Sequence, residues 1–265
     1  MTGVQTCALP IFNGPFNIQF LAKQNHIKVI ECNARAARSF PFVSKVVGLN
    51  FADAATSVLI GKPPKLSRLS EDDLPYVGVK APMFSFTRLS GADPVLGVEM
   101  ASTGEVGCIG KTFDEALLLS LEAAKCRPPR KGVLVSAGPE HEKLKFLECA
   151  SFFTKLKLPL FATSGTAKFL EQHGFKVQRL AWPGEGDTDV LSAIKGGLVD
   201  LVINVPKTLQ RQELSYGAKI RQAAVQFGCS LITNMEATTA FAAALARNPD
   251  FVKTHDVLPL PPYRV

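Results

Sequence analysis

Five short apolar runs, separated by segments of helical period, constrain the second half of this chain more than any other feature. The runs are VLVSA (133–137), LFATS (160–164), VQRLAW (177–182), LVINV (201–205) and SLITN (230–234). Helical periodicity falls between them, over 140–156, 166–173, 188–195 and 216–227, and then over 235–246. Strands without polar alternation read as buried on both faces. Strands that alternate with helices at this spacing predict an α/β fold: a doubly wound parallel five-stranded sheet with helices on both faces. Such sheets take ligands beyond the carboxyl ends of their strands, where helix N-termini gather.

The first half reads differently. A strand over 17–23 turns back through Gln24-Asn25 into a second strand over 27–32, which ends in Glu31-Cys32-Asn33 with Arg35 and Arg38 close behind. Period-2 geometry allows Gln19 and Glu31 to share a sheet face, with Asn33 on the same side as Glu31 and Cys32 turned to the opposite face as a core residue. One carboxylate with two amide oxygens is a hard-oxygen set suited to Mg²⁺, and two arginines beside it suit phosphate or carboxylate oxygens. A solvated glutamate at a strand end is the plainer reading of Glu31, and a structural salt bridge is the alternative for Arg38. Residues 41–60 have helical period, broken at Gly48-Leu49-Asn50 and stopped by Gly61-Lys62-Pro63-Pro64. A polar loop at 66–73 and short strands at 76–80 and 82–86 follow. A helix over 113–125 comes next, with Thr112 as N-cap and Glu115 completing a capping box. Pro128-Pro129 then closes the segment.

The turn Thr163-Ser164-Gly165-Thr166 joins a strand to a helix. Helix N-termini offer unpaired N–H donors and a favourable dipole, and glycine permits close backbone approach, so an anion fits here; an ordinary N-cap fits equally well. Trp182, Asn204 and Asn234 follow or end neighbouring strands at the same sheet edge, and Ser136 and Lys143 flank the first strand–helix junction.

Composition narrows the classes. The six cysteines (Cys7, Cys32, Cys108, Cys126, Cys149 and Cys229) are scattered with no CxxC pair, which points to reduced thiols in a cytosol-like compartment and away from a disulfide frame or zinc site. Net charge is +7, but the densest basic cluster, 125–131, is broken by prolines and lacks interleaved aromatics, so a solvated linker is a better reading than a nucleic-acid patch. No run approaches the roughly 18 apolar residues of a membrane span, so a soluble protein is expected. Residues 1–12 do not have the make-up of a signal peptide, with no charged n-region and an interrupted apolar stretch.

The hairpin and its continuation carry a resemblance. Q-F followed by I-E-x-N-x-R-x-x-R resembles the metal-binding end of an ATP-grasp domain. FPFVSK and GADPVLGVEMASTGEVGCIGKTFDEAL resemble the second ATP-grasp half of the carbamoyl phosphate synthase large chain, and residues from about Lys131 resemble its closing, methylglyoxal-synthase-like regulatory domain. The resemblance implies a partial ATP-grasp α+β segment at 13–127, a regulatory domain at 131–253 and a tail at 254–265, after a non-family leader at 1–12. Ala34 departs from the bacterial pattern, which usually has proline there. The implied activity is that of an ATP-dependent ligase phosphorylating carbamate to carbamoyl phosphate, in pyrimidine or arginine biosynthesis or the urea cycle, with this fragment inactive alone. Gln19, Glu31 and Asn33 would hold Mg²⁺ or Mn²⁺ with ATP, and Arg35 and Arg38 would steady the reacting oxygens. Thr163, Ser164, Gly165, Thr166, Trp182, Asn204, Asn234, Ser136 and Lys143 would bind an allosteric effector: UMP or UTP, IMP, or N-acetylglutamate. The implied partners are the remainder of the large chain and a glutaminase subunit or domain, with neither nucleic acid nor membrane and with an oligomer compatible. The compartment is cytoplasmic, or the mitochondrial matrix for a urea-cycle type. A stand-alone regulatory module is the alternative. A methylglyoxal-synthase-type lyase is disfavoured, because SAGPEHEK at the first strand–helix junction has glutamates but no aspartate.

Overall fold

The computed structural model describes residues 12–64, 74–88, 91–96, 101–186, 188–206 and 214–252. The polar loop expected at 66–73, the tail at 254–265 and all of the leader except Phe12 lie outside these residues. Among the described residues two compact units are present, one up to Tyr76 and the other from Val77 to Val252.

In the first unit, β1 (Asn17–Lys23) and β2 (His26–Asn33) form an antiparallel hairpin. Its two-residue turn has φ of 50° at Gln24 and 61° at Asn25, the double positive φ of the hairpin turn that matches strand twist. Counting back from the Lys23–His26 pair, an unbroken ladder would set Gln19 opposite Ile30 and Glu31 opposite Ile18, on the other face. A bulge intervenes: Phe20 pairs with Val29 but Gln19 pairs with Glu31, leaving Ile30 as the extra residue. Gln19 and Glu31 share a face because of this irregularity. The opposite face carries Ile18, Phe20, Ala22, Ile27, Val29 and Cys32, and Cys32 is exposed, contrary to the expected core placement. Phe20 and Ile27 are 56% and 70% exposed, so the hairpin buries little of its apolar face among the described residues.

Helices α1 (Ser39–Val47) and α2 (Phe51–Leu59) follow, separated where the sequence predicts. Gly48, at φ 69°, ends α1 in the left-handed conformation that glycine adopts freely, and the Asn50 side chain accepts from Asp53 N at 3.2 Å to cap α2. Among the described residues no single helix is long and apolar enough to cross a membrane.

An isolated two-stranded hairpin is marginally stable in water. Backbone amides of 14–60 should therefore exchange with deuterium faster than those of 132–246, read peptide by peptide by mass spectrometry. Uniform protection across both ranges would contradict this.

The second unit opens with β3 (Val77–Met83), paired antiparallel to β4 (Gly104–Gly110), with helix α3 (Phe113–Ala123) after them. One strand stands where two short ones are expected. Proline is tolerated at a sheet edge, and β3 runs through Pro82, reaching Met83 before a 3₁₀ turn at Phe86–Arg88. Three glycines hide β4 from a periodicity reading. One of them is required, since a Cβ on Gly110 would lie 2.6 Å from Ala116 N, where α3 crosses the strand. Thr112 Oγ1 accepts from Glu115 N as expected, but Glu115 Oε2 accepts from Lys111 N, one residue before the usual partner of a capping box.

The five apolar runs form one parallel sheet of β5 (Val133–Ala137), β6 (Leu160–Thr163), β7 (Val177–Leu180), β8 (Leu201–Val205) and β9 (Ser230–Ile232), in the order β7-β6-β5-β8-β9. Helices α4 (Glu140–Lys155), α5 (Ser164–Gln172), α6 (Val190–Lys195), α7 (Leu214–Gln226) and α8 (Met235–Arg247) complete the α/β alternation. Val133, Val135, Leu201 and Ile203 face a core shared with α3, α4, α5 and α8. Leu134, Phe161 and Val202 face a second core with α6 and α7. The doubly wound prediction holds. The chain leaves β5 towards β6 and leaves β8 towards β9, so the strand order reverses between β5 and β8, and a crevice opens at their carboxyl ends.

The basic stretch read as a solvated linker is fastened to the opposite end of this sheet. Asp200 Oδ2 accepts from Arg130 N at 2.8 Å and Asp200 Oδ1 from Gly132 N at 3.2 Å. Ser230 Oγ accepts from Arg127 N and donates to Arg127 O, at 2.8 and 2.9 Å.

Candidate functional site

Because β5 and β8 are in register, Ser136 lies beside Asn204 at the crevice. Thr163 ends β6 next door, and its Oγ1 donates to Ser136 Oγ at 3.2 Å. Thr163 is the N-cap of α5 in backbone geometry, yet its side chain makes no capping bond, which leaves the first turn of the helix without that partner. Thr166 Oγ1 donates to Ala137 O and accepts from Ala137 N, both at 3.2 Å, which ties α5 to the end of β5. Its hydroxyl is thus committed to the backbone and not directed at the opening. Ser164 and Gly165 are exposed, and a Cβ on Gly165 would meet nothing within 4 Å. The turn therefore combines a buried hydroxyl pair, a helix start and open space in front of it, a geometry in which backbone N–H groups can receive an anion.

The other expected contributors divide. Trp182 stacks on Tyr216 at 5.7 Å between centroids, and Lys219 Nζ lies 5.7 Å from the Tyr216 ring, which makes an aromatic wall with a cation beside it. Lys143 Nζ, from the first turn of α4, sits 6.0 Å from the Phe169 ring on α5. Asn234 serves α8: its Oδ1 accepts from Ala237 N at 2.8 Å, an ordinary cap.

Two residues escaped sequence reading. Arg221 on α7 is 1% exposed, and its Nη1 donates to Asn204 Oδ1 at 2.5 Å. Its Nε and Nη2 donate to Asp93 Oδ1 and Oδ2 at 2.7 and 2.6 Å, a bidentate pair. The available signal was an arginine set among buried Ile220, Ala223 and Ala224 on the inner stripe of α7. An aspartate does reach this end of the sheet, but from 128 residues away and engaged by Arg221.

In the first unit, Gln19 and Glu31 are cross-strand partners, and Asn33 Nδ2 donates to Glu31 Oε1 at 2.8 Å. Gln19 and Glu31 are exposed and Asn33 is half-buried; their carboxylate and amide carbonyl oxygens are donors of the kind a hard divalent cation takes. Arg35 Nη1 donates to Ala36 O at 3.1 Å, and Arg38 stands at the N-cap position of α1.

A separate concavity of about 410 Å³ is lined in part by Phe84, Phe86, Leu96, Cys126 and Leu231. Burial pushes the Cys126 thiol up to about 12, and that of Cys149 is also raised by burial. Thiolate is the reacting form, and burial that raises a thiol's pKa keeps it protonated at pH 8. Exposed Cys32 should therefore take up maleimide at pH 8 well before half-buried Cys126, and buried Cys149 should label only on unfolding. Mass spectrometry of a labelling time course reads this, and early modification of Cys126 would refute it.

The fold defines the class: a doubly wound α/β domain with an open strand–helix turn at the carboxyl edge of its sheet, and residues 145–233 match the MGS-like domain family. The chain is 46% identical over 247 residues to Multifunctional protein URA2 of Saccharomyces cerevisiae, covering 89% of this chain and 11% of that protein. It is 43% identical over 263 residues to Multifunctional protein pyr1-3 of Dictyostelium discoideum, covering 94% of this chain and 12% of that one. It is 42% identical over 248 residues to Carbamoyl-phosphate synthase [ammonia], mitochondrial, of Aquarana catesbeiana, covering 90% and 16% respectively. The chain thus carries an MGS-like domain and is similar, over about nine-tenths of its length, to a stretch of proteins that include carbamoyl-phosphate synthases. It spans about a tenth to a sixth of the length of these relatives.

Proposed function

We propose that this chain is the end of the carbamate-phosphorylating ATP-grasp domain of a carbamoyl-phosphate synthase, followed by the module that binds its allosteric effector. The observation that carries the reading is the oxygen-only set of Gln19, Glu31 and Asn33, aligned by the bulge in β1–β2. These residues would hold Mg²⁺ or Mn²⁺ together with ATP, and the bound metal would neutralise charge on the phosphoryl oxygens. Arg35 and Arg38 would orient carbamate or phosphate oxygens through their guanidinium forks. In the second unit, the Thr163–Thr166 turn with Ser136, Asn204 and Trp182 would receive UMP or UTP, IMP, or N-acetylglutamate. The remaining partners are the rest of the synthase and a glutaminase subunit or domain. Both a cytoplasmic and a mitochondrial-matrix location suit the reading.

Before Glu31 the sequence has neither a glycine-rich phosphate loop nor nucleotide-gripping lysines. The purified 265-residue chain is therefore expected to make no carbamoyl phosphate from ATP, bicarbonate and ammonia. Supplied with the rest of the large chain it should complete an active enzyme, and Glu31→Gln should abolish that activity. ADP release by the chain alone, lost in Glu31→Gln, would show an independent catalyst. Full activity of the reconstituted Glu31→Gln enzyme would remove the metal assignment.

A further inference from the structure

Among the described residues the largest fully buried side chain is a cation, Arg221, and the mechanism above makes no use of it. A buried charge is costly to desolvate and persists only where its partners hold it closely. Arg221 has two partners in different parts of the second unit. Asp93, in the segment between β3 and β4, takes Nε and Nη2; Asn204, at the end of β8, takes Nη1. The neighbouring Gln222 Nε2 donates to Gly91 O at 2.8 Å, and Asp93 Oδ1 also accepts from Val95 N at 3.2 Å. The 91–96 segment is thus clasped to α7 through consecutive side chains. The room for this contact is local to α7. Gly217 lies one turn before Arg221, and a Cβ there would stand 2.9 Å from Arg221 Nη1 and 3.7 Å from Asn204 Oδ1.

The bond to Nη1 also fixes how Asn204 presents itself. A guanidinium has donors only, so it must face the amide oxygen, which turns the two Nδ2 hydrogens away from Arg221. An amide held with its NH₂ free selects a ligand atom that accepts, such as a carboxylate or phosphate oxygen.

We propose that Arg221 is a positioning residue for the effector site: it sets Asn204 as a hydrogen-bond donor and couples occupancy of that site to docking of the 91–96 segment through Asp93. The proposal rests on the effector-binding reading above and supplies that reading with a route out of the site. Because the coupling is a free energy shared by two sites, it runs in both directions: a ligand on Asn204 tightens the segment, and loosening Asp93 weakens the ligand.

The test uses the 265-residue chain and two variants. Without ligand, Asn204→Leu removes the acceptor of Nη1. It should raise deuterium exchange at Ala92, Asp93, Val95 and Leu96 about fivefold or more, with the amides of α8 unchanged. With ligand, calorimetry against UMP, UTP, IMP and N-acetylglutamate identifies the compound that wild type binds, and Asp93→Asn should weaken that compound about tenfold. Asparagine keeps the shape but cannot accept both guanidinium bonds, so Arg221 loses its fixed orientation. A merely structural role for Asp93 would lower the unfolding midpoint and leave affinity within twofold. Unchanged exchange at 92–96 in Asn204→Leu overturns the coupling, and so does unchanged affinity in Asp93→Asn. If no compound binds wild type, the effector reading fails on that ground, and the ligand-free exchange still decides whether Asn204 and the segment are linked.

Discussion

Phe153→Ala should destabilise the second unit by about 3–5 kcal/mol, the usual cost of emptying a large aromatic from a packed core. Phe153 and Phe146, on the inner face of α4, are both fully buried, with ring centroids 6.4 Å apart. They fill the space between α4 and a sheet face formed by Val133, Val135, Ala162 and Leu201. Alanine removes the ring from water-free surroundings and leaves a void that helix and sheet cannot both close. Urea denaturation followed by far-ultraviolet circular dichroism measures the change. A loss below about 1 kcal/mol would mean that the core repacks around the gap or that Phe153 is not in it.

The second large effect concerns the strand–helix turn. Thr166→Ala should weaken effector binding about five- to a hundredfold, because it strips the buried N–H and C=O of Ala137 of their side-chain partner, and leaving such groups unsatisfied typically costs about 1–3 kcal/mol. The route is indirect: Thr166 Oγ1 pins the start of α5 to both backbone groups of Ala137, so its loss frees the helix N-terminus that would receive the anion. Thr166→Ser keeps the hydroxyl and should stay within about threefold of wild type, whereas Thr163→Ala should fall with Thr166→Ala because it breaks the link to Ser136. Calorimetry with UMP, UTP, IMP and N-acetylglutamate provides the readout. If none binds wild type at millimolar concentration, or if neither alanine variant shifts affinity, the site lies elsewhere.

Much of the site's outline was legible along the chain. Thr163 ends a strand that periodicity identified, Ser136 and Asn204 stand one residue before the ends of two more, and strand ends of a doubly wound sheet share one edge. Roles within the outline were less legible. Thr166 and Asn234 both sit where a ligand contact or a local cap is plausible, and the structure gives each an intramolecular partner. Cys32 alternates with the acidic face as expected, but alternation says only which residues share a face, not whether anything packs on the other one.

By itself the sequence determined what depends on near neighbours: the β–α alternation, the break at Gly48, the cap at Thr112, and the parallel sheet that such units build. Those signals are local because helix period, strand period and capping involve residues a few positions apart. The tertiary structure alone decided the rest. The bulge at Ile30 reverses which face Gln19 shares with β2, since a one-residue shift of register exchanges the two faces of a strand. The strand order puts β5 beside β8, so that Ser136 meets Asn204 across the switch point. Arg221 finds Asp93 and Asn204 because a buried guanidinium must gather acceptors from wherever the fold brings them, and no spacing in the sequence records a pairing made 128 residues apart.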